Sequence, residues 1–326
     1  MSKKKIYTKR NFLKILGATS IGVGGFSLLN ILNKNLVQSK WSGEVLNGPA
    51  SIEIHAKDKD RNNYIIKKID HRVEKFDSIF NLQNKNSEIS KLNKEKFLVN
   101  PSKDLVDVIN KSIKISNLTN GLFDITVQPL WEMYYNHFII KGLKEPPARE
   151  LISKTSSLVN YKNIRATKDL IELENRASIT LNGIAQGWIT DNITAFLREA
   201  GIKNTLVDFG ETFALGKYKN KRDWNILLND SNSSELIKLT DMAVATSAGS
   251  ATSFEPTHSY HHIFNPKTGK SSNQFKTISI VSNRAWISDA ISTASISMTK
   301  NKLIEVCREL NAEAYTAQSN RFIKIS

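Results

Sequence analysis

Residues 277–294 have the sequence Thr-Ile-Ser-Ile-Val-Ser-Asn-Arg-Ala-Trp-Ile-Ser-Asp-Ala-Ile-Ser-Thr-Ala. Thr277 to Val281 predicts a short strand, and Ser288 to Ala294 is typical of the first turns of a helix with Ser288 as its N-cap. Further short strands are predicted at Leu206 to Phe209 and at Trp224 to Leu228. A doubly wound parallel sheet needs a regular alternation of strands and helices, which this chain lacks. The pattern therefore predicts an α+β fold with mixed, largely antiparallel sheets and packed helices.

Longer helical patterns lie on both sides of these strands. A strand predicted at Ser51 to His55 precedes an amphipathic helix over Tyr64 to Phe80, and another helix is predicted to begin at Ser102. An apolar stripe at helical spacing starts near Trp188 and is ended by Gly201. These helices supply the apolar faces that can pack on the predicted sheets.

Composition excludes several classes of protein. With 326 residues, of which 40% are hydrophobic, the chain can bury one large core or two joined ones. The formal charge is +15, but basic residues crowd into the first fourteen positions and are otherwise scattered lysines. A nucleic-acid groove needs clustered basic and aromatic residues, so no nucleic-acid partner is expected.

Cys307 is the single cysteine, which excludes an internal disulfide and a Cys-His metal cluster. We expect it to be a small core residue on a helix near the C-terminus.

The N-terminus predicts export. Lys9-Arg-Asn-Phe-Leu-Lys14 precedes an uncharged run from Ile15 to Leu32. The Lys-Arg-x-Phe-Leu-Lys core resembles a twin-arginine signal with lysine in place of the first arginine, and the glycines of the run disfavour a buried first helix. We assign residues 1–40 to an export signal or an N-terminal membrane anchor, and residues 41–326 to one further domain.

Asp289 and Thr293 are the first candidates for chemistry. Because they stand four residues apart on a predicted helix, the carboxylate and the hydroxyl share one face, which we expect to be open to solvent. Both are hard oxygen ligands of the kind that Mg²⁺ prefers. In an alternative interpretation, Asp289 offsets the helix dipole and Thr293 bonds back to its own helix.

A second candidate is Tyr260-His-His-Ile-Phe-Asn-Pro-Lys-Thr-Gly269, in which proline and glycine impose a turn after an extended stretch. Adjacent residues of a strand point to opposite faces, so we expect only one of His261 and His262 to reach a substrate. A neutral histidine there could take a proton from an alcohol nucleophile. The other histidine would be structural.

The third candidate is Leu181-Asn-Gly-Ile-Ala-Gln-Gly187, which leads into the helix near Trp188. Gly183 and Gly187 would let the backbone approach a ligand closely, and the amides of a helix start favour phosphate. A simple tight turn is the alternative.

The fourth candidate is Asn120-Gly-Leu-Phe-Asp-Ile-Thr-Val-Gln-Pro-Leu130. Phe123 and Asp124 could stack on an aromatic ring system and hydrogen-bond to it. The same pattern also fits a strand whose Ile125 and Val127 pack inward.

In this order, the four segments resemble the FAD:protein FMN transferases of the ApbE family. The likeness runs from about Trp41 to the C-terminus and includes Ser87-Glu-Ile-Ser90 and Ala245-Thr-Ser247. The resemblance implies the ApbE-like, T-fold-like architecture and a magnesium-dependent transfer of FMN from FAD to a threonine hydroxyl, with release of AMP. The implied acceptor is an exported or membrane protein, in particular a membrane redox protein, and the implied location is the periplasm or the periplasmic face of the inner membrane.

Site residues follow from the resemblance by position. It implies a metal site formed by Asp289, Thr293 and the backbone carbonyl of Gly183. His262, in preference to His261, would act as the base or hold the phosphate. The residues implied along the FAD site are Leu122, Phe123, Asp124, Gln186 and Ile263.

Departures from the common family pattern keep two other functions open. Gln186 stands where lysine is usual, and Gly210-Glu211 replaces the commoner Gly-Gly-Asp. Both features resemble a branch of the family associated with nitrous-oxide reduction. The alternatives to protein flavinylation are a metal-dependent FAD pyrophosphatase, in which water replaces the threonine hydroxyl, and a non-catalytic periplasmic FAD-binding protein.

Overall fold

A computed structural model describes residues 36–326 of the chain. The export signal or anchor predicted for residues 1–40 lies almost entirely outside this range and stays a prediction. The first strand begins at Val37, shortly before the domain boundary expected at Trp41. Within residues 36–326, no helix is long and apolar enough to cross a bilayer.

Antiparallel strands form three sheets. The largest has eight strands in the order β1-β2-β6-β7-β10-β11-β12-β13, the second has the order β3-β5-β4, and the third is the hairpin β8-β9. The strands are β1 (Val37–Val45), β2 (Gly48–Ala56), β3 (Phe97–Val99), β4 (Ile164–Ala166), β5 (Leu170–Leu173), β6 (Thr205–Asp208), β7 (Thr212–Leu215), β8 (Trp224–Asn229), β9 (Ser234–Leu239), β10 (Met242–Ala248), β11 (Thr277–Ser282), β12 (Glu313–Gln318) and β13 (Arg321–Lys324).

The described residues form eight α-helices. They are α1 (Lys59–Phe80), α2 (Glu88–Glu95), α3 (Lys103–Leu118), α4 (Gln128–Tyr135), α5 (Arg149–Ser156), α6 (Ala185–Glu199), α7 (Ala285–Ser295) and α8 (Lys300–Leu310). Of these, α1, α6, α7 and α8 pack on the eight-stranded sheet. A π-helical turn, Asn136–Ile140, extends α4, and 3₁₀ turns occur at Ile125–Val127, Tyr161–Asn163 and Gly249–Ala251.

Helix α7 packs between α6 and the large sheet. Its apolar face packs on β10 and β11, and α6 packs on α7 and on β7. Strands β10 and β11 are almost entirely buried because helices cover one of their faces and the hairpin β8-β9, through Trp224 and Leu228, covers the other. The predicted α+β class with antiparallel sheets is confirmed.

Most predicted elements are present with shifted ends. Helix α1 begins at Lys59, five residues before the predicted start at Tyr64, because Asp58 caps it by accepting from the Arg61 N–H. Helix α3 begins at Lys103, one residue after the predicted start, and Ser102 is its N-cap. Cys307 is fully buried on α8, which confirms its assignment to the core.

Two local predictions are wrong. Helix α7 begins at Ala285, not at Ser288, and the Ser288 side chain is buried against the Ser282 hydroxyl, 2.8 Å away. The alternative that Ile125 and Val127 lie on a strand also fails. These residues form a 3₁₀ turn, because the Asp124 carboxylate accepts from the Thr126 N–H and holds the backbone in a cap.

Candidate active site

Helices α6 and α7 pack closely because a glycine stands at their contact. A Cβ atom on Gly187 would lie 2.4 Å from the carbonyl oxygen of Ala285 and 2.8 Å from Cβ of Asp289. The Gly187 N–H donates to Oδ2 of Asp289 at 3.0 Å. Gly187 thus serves helix packing and does not bring the backbone to a ligand, contrary to the prediction from the glycine spacing.

A cavity of about 350 Å³ opens beside this helix contact, between the α6 N-terminus and the edge of the large sheet. We call it the Gln186 cavity. Its volume lies within the range of about 300–1,000 Å³ that is usual for small-molecule sites. Its polar lining residues include Ser42, Ser51, Gln186, Asp208, Glu211, Thr246, Ser247, His262 and Asp289.

A smaller cavity of about 80 Å³ lies on the other side of His262. We call it the Phe123 cavity. Its walls are mainly apolar and aromatic, with Phe123, Trp131 and Phe264 among them, and such walls suit a planar ring system. Gly183 and Thr293 also line it.

His262 and Ile263 line both cavities, so the two form adjoining parts of one elongated site. The structure brings together nine of the ten residues predicted from the sequence. The remaining residue, His261, is fully buried and lines neither cavity. The residues lining the Gln186 cavity are Gln186, Asp289, His262 and Ile263, and those lining the Phe123 cavity are Leu122, Phe123, Asp124, Gly183, Thr293, His262 and Ile263.

Gly183 and Thr293 are in direct contact. A Cβ atom on Gly183 would lie 3.0 Å from Oγ1 of Thr293, so only glycine fits here without displacing that side chain. Ser247 at the end of β10 places its hydroxyl 3.5 Å from Oγ1 of Thr293 and 2.9 Å from the hydroxyl of Ser292. A backbone carbonyl, a hydroxyl and the Asp289 carboxylate therefore stand on adjoining segments, and all are hard oxygen donors.

Asp289 is buried, with 3% of its surface exposed, so the expectation of a solvent-facing carboxylate is wrong. The reason is the early start of α7, which places Asp289 in the second turn, beneath α6, and not at the open first turn. Within residues 36–326, the structure contains no group of three His, Cys, Asp or Glu side chains arranged for a metal ion. The oxygen atoms offered by Gly183, Asp289 and Thr293 include a single carboxylate, so these residues do not form a metal site of that kind.

His262 has a defined tautomer. Its Nδ1 lies 3.0 Å from the carbonyl oxygen of Thr252, which can only accept, so Nδ1 carries the proton. The lone pair of the neutral ring is then on Nε2. This arrangement fixes the orientation of the imidazole, which lines both cavities.

Both ring nitrogens of His261 are used inside the protein. Nδ1 accepts from the Ile263 N–H at 3.2 Å, and Nε2 donates to Oδ1 of Asn273 at 3.0 Å. Burial lowers the pKa of His261, which keeps the ring neutral, although the bond to Asn273 acts in the opposite direction. His261 is thus placed to shape the loop that carries His262.

Protonation of His261 should destabilise the fold at low pH. Its pKa lies below the ordinary value in the folded chain, so the unfolded chain binds the proton first as the pH falls below about 6.5. We expect the free energy of unfolding to decrease over this window, and His261→Gln to reduce that decrease, as measured by urea denaturation at pH 7.5 and 5.0. The control is the exposed His71→Gln. An unchanged pH dependence in His261→Gln would contradict the assignment.

Asp124 uses its carboxylate within the protein. Oδ1 accepts from the Thr126 N–H and hydroxyl, and Oδ2 accepts from the Tyr161 N–H at 2.9 Å. Burial raises the pKa of Asp124, while these hydrogen bonds act in the opposite direction. The carboxylate thus fixes the loop on which Leu122 and Phe123 line the site.

The charge of the site is unusual for a place that would hold a nucleotide. Among the described residues, no lysine or arginine lines either cavity, whereas Asp208, Glu211 and Asp289 all line the Gln186 cavity. Gln186 packs its amide on Gly210, where a Cβ atom would lie 2.8 Å from Nε2 of Gln186. Carboxylates without a lysine or arginine beside them disfavour an anionic ligand unless a cation offsets their charge.

Sequence reasoning missed several lining residues. Ser42, Ser51, Asp208 and Trp131 come from β1, β2, β6 and α4, and each sits in a segment with an ordinary strand or helix pattern. No local signal distinguishes them. The order of the strands in the large sheet brings Ser42, Ser51 and Asp208 to the Gln186 cavity, and the packing of α4 brings Trp131 to the Phe123 cavity.

Comparison with known proteins identifies relatives along most of the chain. The model of the ApbE family matches residues 48–316. The FAD:protein FMN transferase of Vibrio cholerae serotype O1 is 28% identical over 251 residues, which cover 72% of this chain and 73% of that protein. The FAD:protein FMN transferase of Chlamydia pneumoniae is 27% identical over 244 residues, covering 73% and 76% of the two chains.

Solved structures share the fold. The flavin transferase ApbE from Vibrio cholerae superposes with a TM-score of 0.73 at 19% identity, covering 89% of this chain and 96% of that one. The ApbE protein from Thermotoga maritima superposes with a TM-score of 0.76 at 23% identity, covering 88% and 97% of the two chains. At these identities the likeness concerns the fold alone.

Proposed function

Because this chain belongs to the ApbE family and is an enzyme of the FAD:protein FMN transferase type, we propose that it moves FMN from FAD to a threonine hydroxyl of an acceptor protein in a magnesium-dependent reaction. The other product would be AMP. The acceptor would be an exported or membrane protein.

The observation that carries the proposal is the charge of the elongated site. Carboxylates and hydroxyls line the Gln186 cavity, and no lysine or arginine of residues 36–326 lines it. The pyrophosphate of FAD is an anion, so its binding beside Asp289 requires a divalent cation. The Phe123 cavity adds aromatic walls on which a planar ring system can stack.

The residues present fit Mg²⁺. We propose that Asp289, Thr293 and the carbonyl of Gly183 hold the ion, since all three offer oxygen and Gly183 contacts the Thr293 side chain directly. When bound, Mg²⁺ would neutralise the pyrophosphate and stabilise the charge that develops during transfer. Leu122, Phe123, Asp124, Gln186 and Ile263 would line the FAD.

His262 would handle the proton. The threonine oxygen forms a bond to the phosphorus of the FMN half, and the bond from that phosphorus to the bridging oxygen breaks, so that AMP leaves with this oxygen. Nε2 of His262, which holds the lone pair of the ring, accepts the hydroxyl proton. The buried His261 holds the backbone of this loop in place.

A transfer assay tests the proposal. The full chain is incubated with FAD, Mg²⁺ and exported proteins encoded next to its gene, and intact-mass spectrometry follows the acceptors. We expect a mass increase of one FMN, lost when EDTA is added or when the acceptor threonine is changed to alanine. Free FMN without acceptor labelling would instead show a pyrophosphatase, and unchanged, tightly bound FAD would show a non-catalytic binding protein.

Replacing His262 should slow the chemical step. We expect His262→Gln to lower kcat by about 10²-fold, the lower end of the usual contribution of general acid–base catalysis. The matched control is His258→Gln, because His258 is exposed on the same loop, bonds to Ser253 and lines neither of the two cavities. Equal rates for the two variants would exclude His262 as the base.

We also propose that the chain acts outside the cytoplasm. The support is the basic start and the uncharged run from Ile15 to Leu32, which lie outside the described residues. A periplasmic location, or one on the periplasmic face of the inner membrane, would place the enzyme beside membrane redox acceptors. Gln186 and Gly210-Glu211 support membership of the branch associated with nitrous-oxide reduction. Export of a reporter fused to residues 1–40 tests the location.

A further inference from the structure

Asp191 joins the two helices of the site and belongs to none of the sets described above. It lies on α6, and its carboxylate reaches the first residues of α7. Oδ1 accepts from the Ala285 N–H at 2.9 Å, and Oδ2 accepts from the Trp286 N–H at 3.0 Å. Arg284, the residue that precedes α7, makes no side-chain cap of its own. A carboxylate of another helix thus caps α7.

Three contacts between the segments form a regular series. Gly183 meets Thr293, Gly187 donates to Asp289, and Asp191 accepts from Ala285. From one contact to the next, the position advances by four residues from Gly183 into α6. The partner position goes back by four residues along α7. Because residues four apart share a helix face, these contacts lie along one antiparallel seam.

We infer that Asp191 is a positioning residue that fixes α7 against α6 in the register that brings Asp289 and Thr293 to Gly183. The inference rests on the proposed metal site. Gly187 and Asp191 anchor α7 at points one turn apart, so they determine both its axial position and its rotation. A shift by a single residue would move α7 by about 1.5 Å, whereas Mg²⁺ requires oxygen ligands at about 2.0–2.1 Å in near-octahedral geometry.

The charge of Asp191 supports this role. Burial raises the pKa of Asp191 to about 6, against the effect of the two backbone N–H groups and of Arg284 and Lys111. At pH 7 the carboxylate is therefore ionised and can accept both hydrogen bonds. Its negative charge also lies at the positive end of the α7 dipole. Asparagine keeps only one acceptor oxygen and places an NH₂ group against the second N–H.

Binding of Mn²⁺ to the full chain, followed by electron paramagnetic resonance in the presence of FAD, tests the inference. Mn²⁺ accepts the same oxygen ligands as Mg²⁺. We expect Asp191→Asn to weaken Mn²⁺ binding by about 10–100-fold, the usual effect of losing a group that orients metal ligands. Hydrogen exchange should also become faster at the amides of residues 285–289.

Asp107→Asn is the matched control. Asp107, on α3, accepts from Nε1 of Trp188 at 2.7 Å, so it anchors α6 from the side of α3. We expect this variant to bind Mn²⁺ within twofold of the unmodified chain. Equal Mn²⁺ affinity in Asp191→Asn and the unmodified chain would overturn the inference, as would an equal loss in both variants. An unmodified chain that binds no Mn²⁺ would overturn the proposed metal site and, with it, this inference.

Discussion

Replacing Asp289 by asparagine should reduce flavin transfer by about 10³-fold, the upper range for removing one electrostatic group from an active site. Asp289 is the only carboxylate of the proposed metal site, and a neutral amide binds Mg²⁺ poorly. Asparagine keeps an oxygen that can accept from the Gly187 N–H, so the contact between α6 and α7 can survive. The measurement is the rate of FMN attachment to the acceptor, together with Mn²⁺ affinity.

Asparagine is preferred to alanine because Asp289 is buried. Alanine would leave the Gly187 N–H without its acceptor, at a cost of about 1–3 kcal/mol in the free energy of unfolding. The control is Asp70→Asn, since Asp70 accepts from Nε1 of Trp41 and lines neither cavity of the site. Transfer by Asp289→Asn within tenfold of the unmodified rate would show that the metal site has been misplaced.

Gly187→Ala should abolish transfer by separating the two helices. The added methyl would lie 2.4 Å from the Ala285 carbonyl oxygen and 2.7 Å from its carbon, and these backbone atoms cannot rotate away. We expect a loss of about 1–3 kcal/mol in the free energy of unfolding, as for other overpacked contacts. A larger functional effect should follow, because Asp289 and Thr293 move with α7. Urea denaturation and the transfer assay measure the two effects.

Gly142→Ala provides the comparison for Gly187→Ala. It adds the same methyl at a position where no atom lies within 4 Å, although a φ of +66° there costs about 1–2 kcal/mol for alanine. This variant should keep its transfer rate. If Gly187→Ala transferred FMN as fast as Gly142→Ala, the close approach of α6 and α7 would have no role in the reaction.

His261 and His262 show what a sequence pattern can and cannot predict. The alternation of side chains along an extended segment correctly indicated that His261 and His262 face different surroundings. It could not tell which of them lines the two cavities. That distinction depends on distant groups, namely the Asn273 side chain beside His261 and the Thr252 carbonyl beside His262.

Helix α7 shows a second limit. Its start was predicted at Ser288 because local rules assign a serine before an apolar run to the cap. In the structure the capping group is Asp191, on another helix and far away in sequence. No local pattern can identify a cap that arrives through tertiary packing. The same error made Asp289 look exposed, because residues of a first turn are usually open to solvent.

The amino-acid sequence predicted the α+β class and most of the helices and strands, and it indicated nine residues that the structure places around the two cavities. It could do so because periodicity, caps and short ordered motifs are local properties of the chain. How these segments lie relative to one another depends on the packing of the folded chain. The antiparallel packing of α6 on α7 places Gly183 against Thr293 and Gly187 against Asp289. It also buries the Asp289 carboxylate, which the sequence pattern had predicted at an exposed helix start. Distances between segments a hundred residues apart follow from packing of the whole core, which no local pattern encodes.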